Sequence, residues 1–322
     1  MSGQCSLCPR KCAVNRNDGQ HGFCGESSVV RIASAGLHFG EEPPVTGTGG
    51  SGTIFLTGCT LRCAFCQNYQ ISQQGMGKDI SYDEFVEICL RLQQMGAHNI
   101  NLVTGSHFAP ELAQYIRFAK EAGLTIPVAW NSSAYESVEA LELLKDEVDI
   151  WLPDLKTLNP IMSESLFAAT DYPQTAKKAI RWMVQHYPIE KDGEILKKGV
   201  IIRHLFMPGR MDDTILALDW LKAHADGKAL ISLMSQYTPV PFTGSSAELA
   251  RRKKALEAFQ NRLVSEEEDT QLRELIDSYE FECLFYQDLS DDTSWLPDFT
   301  RPQPFSNSLS NTIWHWEKGF IS

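Results

Sequence analysis

The stretch GTIFLTGCTLRCAFCQN, residues 52–68, decides how this chain is read. Its first seven residues, GTIFLTG (52–58), form a short apolar run closed by glycine, the pattern of a buried strand. Three cysteines follow at once, Cys59, Cys63 and Cys66, with Phe65 directly before the last. In a loop that leaves a strand, three thiolates can hold a [4Fe-4S] cluster and keep one of its four irons open to a ligand. A structural zinc site instead closes its tetrahedron with a fourth ligand and gains nothing from an open position.

Outward from this segment, apolar runs alternate with helix-period runs, the pattern of parallel βα units. Ser81 opens a helix that Gly96 stops, with Glu84 completing a capping box and Phe85, Ile88, Cys89 and Leu92 on one face. NINLVT (99–104), PVAWNS (127–132), DIWLPDL (149–155), VIIRHLFM (200–207) and ALISLMSQY (229–237) read as strands. Helices over 111–122, 138–145, 175–186 and 215–224 follow the first four of these. The charged stretch 190–199 reads as a loop, 247–279 as a long helical segment, and FECLFYQ (281–287) as a seventh strand.

About six βα units with right-handed crossovers predict an α/β fold, a partial (β/α)6-type TIM barrel. Polar residues gather at the strand ends (Asn131, Ser132, Asp154, Lys156, Arg203, His204, Gln236 and Tyr237), which favours a barrel over an open doubly wound sheet. In such barrels the chemistry sits at the C-terminal ends of the strands. The expected division is a Cys-rich metal-binding cap over 1–50, the barrel core over 51–240, and a C-terminal helix, last strand and tail over 241–322. The aromatic residues from Trp295 to Trp316 read as a tail packed on the barrel.

The 322 residues carry 29 Lys and Arg against 41 Asp and Glu, a formal charge of −12. That balance opposes binding driven by phosphates, so no nucleic-acid partner is expected. A chain this long buries about 75% of its unfolded surface and needs no disulfides to hold a core. No apolar run approaches the roughly 20 residues of a membrane span, and MSGQCSLCPRKC lacks the apolar core of a signal peptide. The expected address is cytoplasmic, away from membranes, where clustered thiols serve metals or redox chemistry.

Seven of the nine cysteines lie in the first 66 residues, while Cys89 and Cys283 stand alone and read as small core residues. Cys5, Cys8, Cys12 and Cys24 form a second group. Four thiols so close in sequence can enclose a zinc ion or a second iron–sulfur cluster, and either would order a segment with little core of its own. The spacing does not choose between the two metals, nor between a structural role and an electron relay.

GCTLRCAFCQN (58–68) resembles the cluster-binding signature of the radical S-adenosylmethionine (SAM) superfamily. PDLK (153–156), IRHLFMPG (202–209) and LMSQY (233–237) are similar to segments of the pyruvate formate-lyase activating enzymes. The chain thus resembles a branch related to those activases that has a Cys-rich segment ahead of the barrel. The resemblance implies a [4Fe-4S] cluster on Cys59, Cys63 and Cys66, with SAM on the open iron. It also implies one-electron cleavage of SAM to a 5′-deoxyadenosyl radical that abstracts a hydrogen atom. Cofactor-binding roles carried over are Phe65 against the adenine, Asp154 and Lys156 near the SAM carboxylate, and Arg203 on the carboxylate or ribose. Asn131 stands where the activases have an Asp beside a cation. Thr104-Gly105-Ser106-His107 replaces their Gly-Gly-Glu, with His107 as the candidate substitute, while His204 should face away from Arg203 in an extended strand.

The activity so implied is activation of a glycyl-radical enzyme, with a backbone glycine of that protein as substrate and a low-potential flavodoxin or ferredoxin as electron donor. Radical modification of another peptide or small molecule, and a non-catalytic iron–sulfur electron-transfer protein, are the alternatives the residues leave open.

Overall fold

A computed structural model describes residues 4–289, 295–306 and 308–321. Its strands are β1 (Arg31–His38), β2 (Ser51–Leu56), β3 (Lys78–Asp79), β4 (Ile100–Val103), β5 (Val128–Ser132), β6 (Ile150–Pro153), β7 (Glu190–Asp192), β8 (Ile195–Leu205), β9 (Leu230–Met234), β10 (Leu284–Gln287), β11 (Ser310–His315) and β12 (Gly319–Phe320). Seven of them run parallel in the order β2-β4-β5-β6-β8-β9-β10. The sheet ends at β10 on one side and β12 on the other, so the barrel is partial, as the βα series predicts. Helices Tyr82–Gln94, Ala109–Glu121, Val138–Leu144, Tyr172–His186 and Met211–His224 make the first five crossovers.

Local sequence explains most of these elements. The Ser81 hydroxyl accepts from the Glu84 amide at 3.2 Å and caps the first crossover helix. The reciprocal arm of the box is absent, because the Glu84 carboxylate accepts from Trp314 Nε1 at 2.9 Å instead. The helical segment after β9 is two helices, Ser246–Leu256 and Glu266–Tyr279, each opened by a complete capping box on Ser245 or Ser265.

Two parts of the sheet differ from the sequence reading. The charged stretch 190–199 is a hairpin, not a loop: β7 pairs antiparallel with the start of β8 across a turn at Gly193, whose φ is +60°. Its charged, largely exposed residues hide the alternation that marks a strand with one buried face. Residues 31–38, inside the expected metal-organised cap, are β1, which pairs antiparallel with β2 and with β11 from the tail. Gly36 permits the second contact, since a Cβ there would lie 2.4 Å from the Asn311 carbonyl oxygen. In the expected C-terminal region, residues 290–294, 307 and 322 lie outside the described residues.

The barrel interior is filled in layers. Val45, on the helical turn Pro43–Thr46, joins Ala129, Ile150, Leu152, Ile201 and Leu230 in an apolar plug toward the strands' N-terminal ends. Tail residues Phe299 and Phe305 pack on Phe55 with ring centroids 5.4 and 5.3 Å away. The C-terminal ends of the strands stay free for a cavity. Among the described residues no helix is long and apolar enough to cross a membrane.

Candidate functional site

A cavity of about 790 Å³ opens at the C-terminal ends of the parallel strands, and the expected site residues converge on it. Cys59, Cys63, Phe65 and Cys66 reach it from the loop after β2, Asn131 from β5, Asp154 and Lys156 from just beyond β6, and Arg203 from β8.

The cysteine loop is shaped by left-handed backbone at Gly58 (φ +74°) and Arg62 (φ +57°). The amides of Leu61 and Arg62 donate to Cys59 Sγ at 3.3 and 3.4 Å, and the Ser72 hydroxyl lies 3.4 Å from Cys66 Sγ. Burial pushes the Cys63 and Cys66 thiols up, with the Lys156 charge opposing it at both. Among the described residues no three His, Cys, Asp or Glu side chains stand close enough together to hold a metal ion as they are. The three thiols line one large space and two backbone N–H groups donate to Cys59 Sγ, so this donor set fits an iron–sulfur cluster. Phe65 stands edge-on to Phe167, Tyr237 and Phe259, with centroids 6.1, 6.4 and 6.3 Å away.

Lys156 Nζ lies 2.7 Å from Asp154 Oδ2. Burial works against the charged lysine, but the Asp154 carboxylate outweighs it and holds the ammonium protonated. Tyr172, which the sequence did not single out, fixes the pair: its hydroxyl accepts from the Lys156 amide and faces the Asp154 carbonyl, both at 2.8 Å.

Arg203, on the same cavity wall, is paired with two carboxylates. Its Nε donates to Glu42 Oε1 at 2.8 Å and its Nη2 to Glu42 Oε2 at 2.5 Å, with a further bond to Glu41. Asn101 Nδ2 donates to Glu41 Oε1 at 3.0 Å. Burial raises the Glu42 carboxyl, yet the guanidinium beside it dominates and holds it below the ordinary range. The two glutamates went unforeseen; the signal was an acidic pair ahead of Pro43-Pro44 in an apolar stretch. His204 faces outward as expected, with Nδ1 donating to the Leu155 carbonyl at 2.7 Å and Nε2 accepting from the Thr214 hydroxyl at 3.0 Å.

Cys5, Cys8, Cys12 and Cys24 line a second, small cavity together with Arg10, Arg16 and His107. Burial pushes the Cys8 thiol up to about 11, and the thiols of Cys24, Cys5 and Cys12 add to the shift. The cap is bound to the barrel: Arg10 donates to the carbonyls of Thr60, Phe167 and Ala168 at 2.9, 2.7 and 2.5 Å. His107 thus lies on the cap side, whereas Thr104, at φ +64°, lines the large cavity. Cys89 is fully buried on its helix, and Cys283 lies half-buried just before β10.

The profile of the Radical SAM superfamily matches residues 53–220, from β2 into the helix Met211–His224. An uncharacterized protein of Methanocaldococcus jannaschii is 33% identical over 243 residues, covering 73% of this chain and 66% of that one. The chain therefore spans just under two thirds of that relative. The pyruvate formate-lyase-activating enzyme of Listeria monocytogenes is 25% identical over 178 residues, 52% of this chain and 67% of its own. Among solved structures, a radical SAM methyltransferase from Sphaerobacter thermophilus is 16% identical, covering 73% of this chain and 66% of its own, with a TM-score of 0.49.

Proposed function

This chain belongs to the radical SAM superfamily, and on that premise we propose that it is a hydrogen-abstracting enzyme whose Cys59, Cys63 and Cys66 hold a [4Fe-4S] cluster. The observation that carries the reading is the opening of these three thiols onto the same cavity as Phe65, Asn131, Asp154 and Lys156. When bound, such a cluster supplies the electron that cleaves SAM and so generates the hydrogen-abstracting radical.

The chain's own residues bind, orient and shield. The Leu61 and Arg62 amides offset charge on Cys59. Asp154 and Lys156, fixed by Tyr172, would hold the ammonium and carboxylate of SAM with one negative and one positive group, and Phe65 would bind its adenine. Arg203 acts as a positioning residue that holds Glu41 and Glu42 on the cavity wall. Trp295, Ser306 and Leu309 from the tail line the same space and limit the entry of water.

Similarity to a pyruvate formate-lyase-activating enzyme supports activation of a glycyl-radical protein as the specific activity; a cluster that must be reduced calls for a low-potential donor, for which we propose a flavodoxin or ferredoxin. One observation favours a second reading. The cavity extends to Glu41, Glu42 and Ser232, so it offers polar room for a small molecule or a peptide side chain beyond the cofactor. The cap cysteines complete the proposal by holding a second metal that orders residues 5–24.

The deciding experiment is anaerobic reconstitution, reduction with dithionite and assay for 5′-deoxyadenosine. A fully loaded protein that leaves SAM intact would refute the enzyme reading and leave electron transfer. Deuterium carried from a labelled glycyl-radical protein into 5′-deoxyadenosine supports activation; label arriving only from a small molecule or another peptide supports the second reading.

A further inference from the structure

We propose that His107, a residue of the barrel, is a ligand of the metal held by the cap cysteines, and that this metal is a single zinc-like divalent ion. The inference rests on the cap-metal reading above and adds to it a donor from outside the cap.

The Thr57 carbonyl lies 2.7 Å from His107 Nε2 and can only accept, so Nε2 carries the ring proton and Nδ1 is a bare lone pair. That Nδ1 is buried and has no hydrogen-bond partner. A buried acceptor left without a donor is destabilising unless something else occupies its lone pair. A ring held through one N–H by a backbone carbonyl, with the other nitrogen free, has the orientation and tautomer of a metal-ligating histidine.

The ring lines the same cavity as Cys5, Cys8, Cys12 and Cys24. The space among them is about 10 Å³, against about 790 Å³ beside the other three cysteines. The smaller space has room for a single ion as it stands. The donors surround it without yet converging, and closing onto zinc would draw sulfur to about 2.3 Å and nitrogen to about 2.0 Å. Thiolate and imidazole together suit zinc. Five donors exceed a tetrahedral site by one, so one cap thiol is left over.

The test uses the full chain carrying Cys59→Ala, Cys63→Ala and Cys66→Ala, so that any metal retained belongs to the cap. The expected result is one zinc per chain. His107→Gln in this background should weaken zinc on the order of 100-fold in a chelator competition and shift the visible bands of the cobalt-substituted protein. If the triple variant retains no metal, the cap-metal reading fails and the inference falls with it. If it retains metal whose affinity and cobalt spectrum are unchanged by His107→Gln, the inference alone fails. His107→Cys covers a glutamine variant that does not fold: retained zinc with stronger thiolate-to-cobalt absorption supports ligation, and an unaltered spectrum overturns it.

Discussion

The backbone amide of Cys59 donates to the carbonyl of Cys24 at 3.2 Å. One hydrogen bond therefore joins the last cysteine of the cap to the first cysteine of the barrel loop, and what orders the cap also steadies the site of the cluster. A bond of this kind contributes about 0.5–1.5 kcal/mol. Cys24→Ser, which loosens the cap while keeping that carbonyl in the chain, should speed loss of cluster iron to a chelator roughly 2- to 10-fold. Iron release at the wild-type rate would show the two cysteine groups to be independent.

The Arg203 guanidinium is the shared partner of Glu41 and Glu42, and all three are largely buried. Arg203→Met removes the cation and leaves two carboxylates facing each other out of water. The expected cost is about 3–5 kcal/mol, read from denaturant unfolding. A loss below about 1 kcal/mol, the range of surface ion pairs, would mean that water reaches the pair freely.

Glu42 also sets a pH dependence. Its carboxyl is held below the ordinary value near about 4.3 by Arg203, so the folded state binds the proton less tightly than the unfolded state. A depressed carboxyl contributes stability that is present above the unfolded pKa and lost as pH falls through the folded one. Wild type should therefore lose more stability than Glu42→Gln on acidification below about pH 4.3. Parallel acid-melting curves for the two proteins would sink this assignment.

Thr104, directly after β4, has φ +64°, a conformation that is costly for a β-branched residue. Thr104→Gly removes that strain and gives back part of the gain as unfolded-chain entropy. The net expectation is stabilisation by about 1 kcal/mol, seen as a higher thermal midpoint. A drop in the midpoint would show that the threonine side chain does more in the cavity wall than strain its backbone.

Asp154 is exposed to the cavity while its backbone is pinned by Tyr172, so its carboxylate can be altered without moving the strand. Asp154→Asn should leave iron content unchanged and weaken SAM binding roughly 10- to 100-fold, the worth of a hydrogen bond to a charged group. Equilibrium dialysis of the loaded protein measures it, and unaltered affinity would remove Asp154 from the cofactor wall.

The sequence by itself determined what is local in the chain. The alternation of apolar and helix-period runs specified the parallel strands and their crossovers, because burial on both faces leaves a period that can be read directly. The spacing of Cys59, Cys63 and Cys66 after β2 made an iron–sulfur cluster with an open iron the expected chemistry, because donor type and loop position are both local. Only the tertiary structure decided which distant groups meet. The cap's β1 and the tail's β11 pair side by side although about 270 residues separate them in sequence. Arg203 turned to Glu41 and Glu42, and His107 faced the cap cysteines with one nitrogen unpartnered. No periodicity encodes such contacts: each depends on how a buried charge or lone pair finds a partner once water is gone, and that partner is chosen by the packing of elements far apart in the chain.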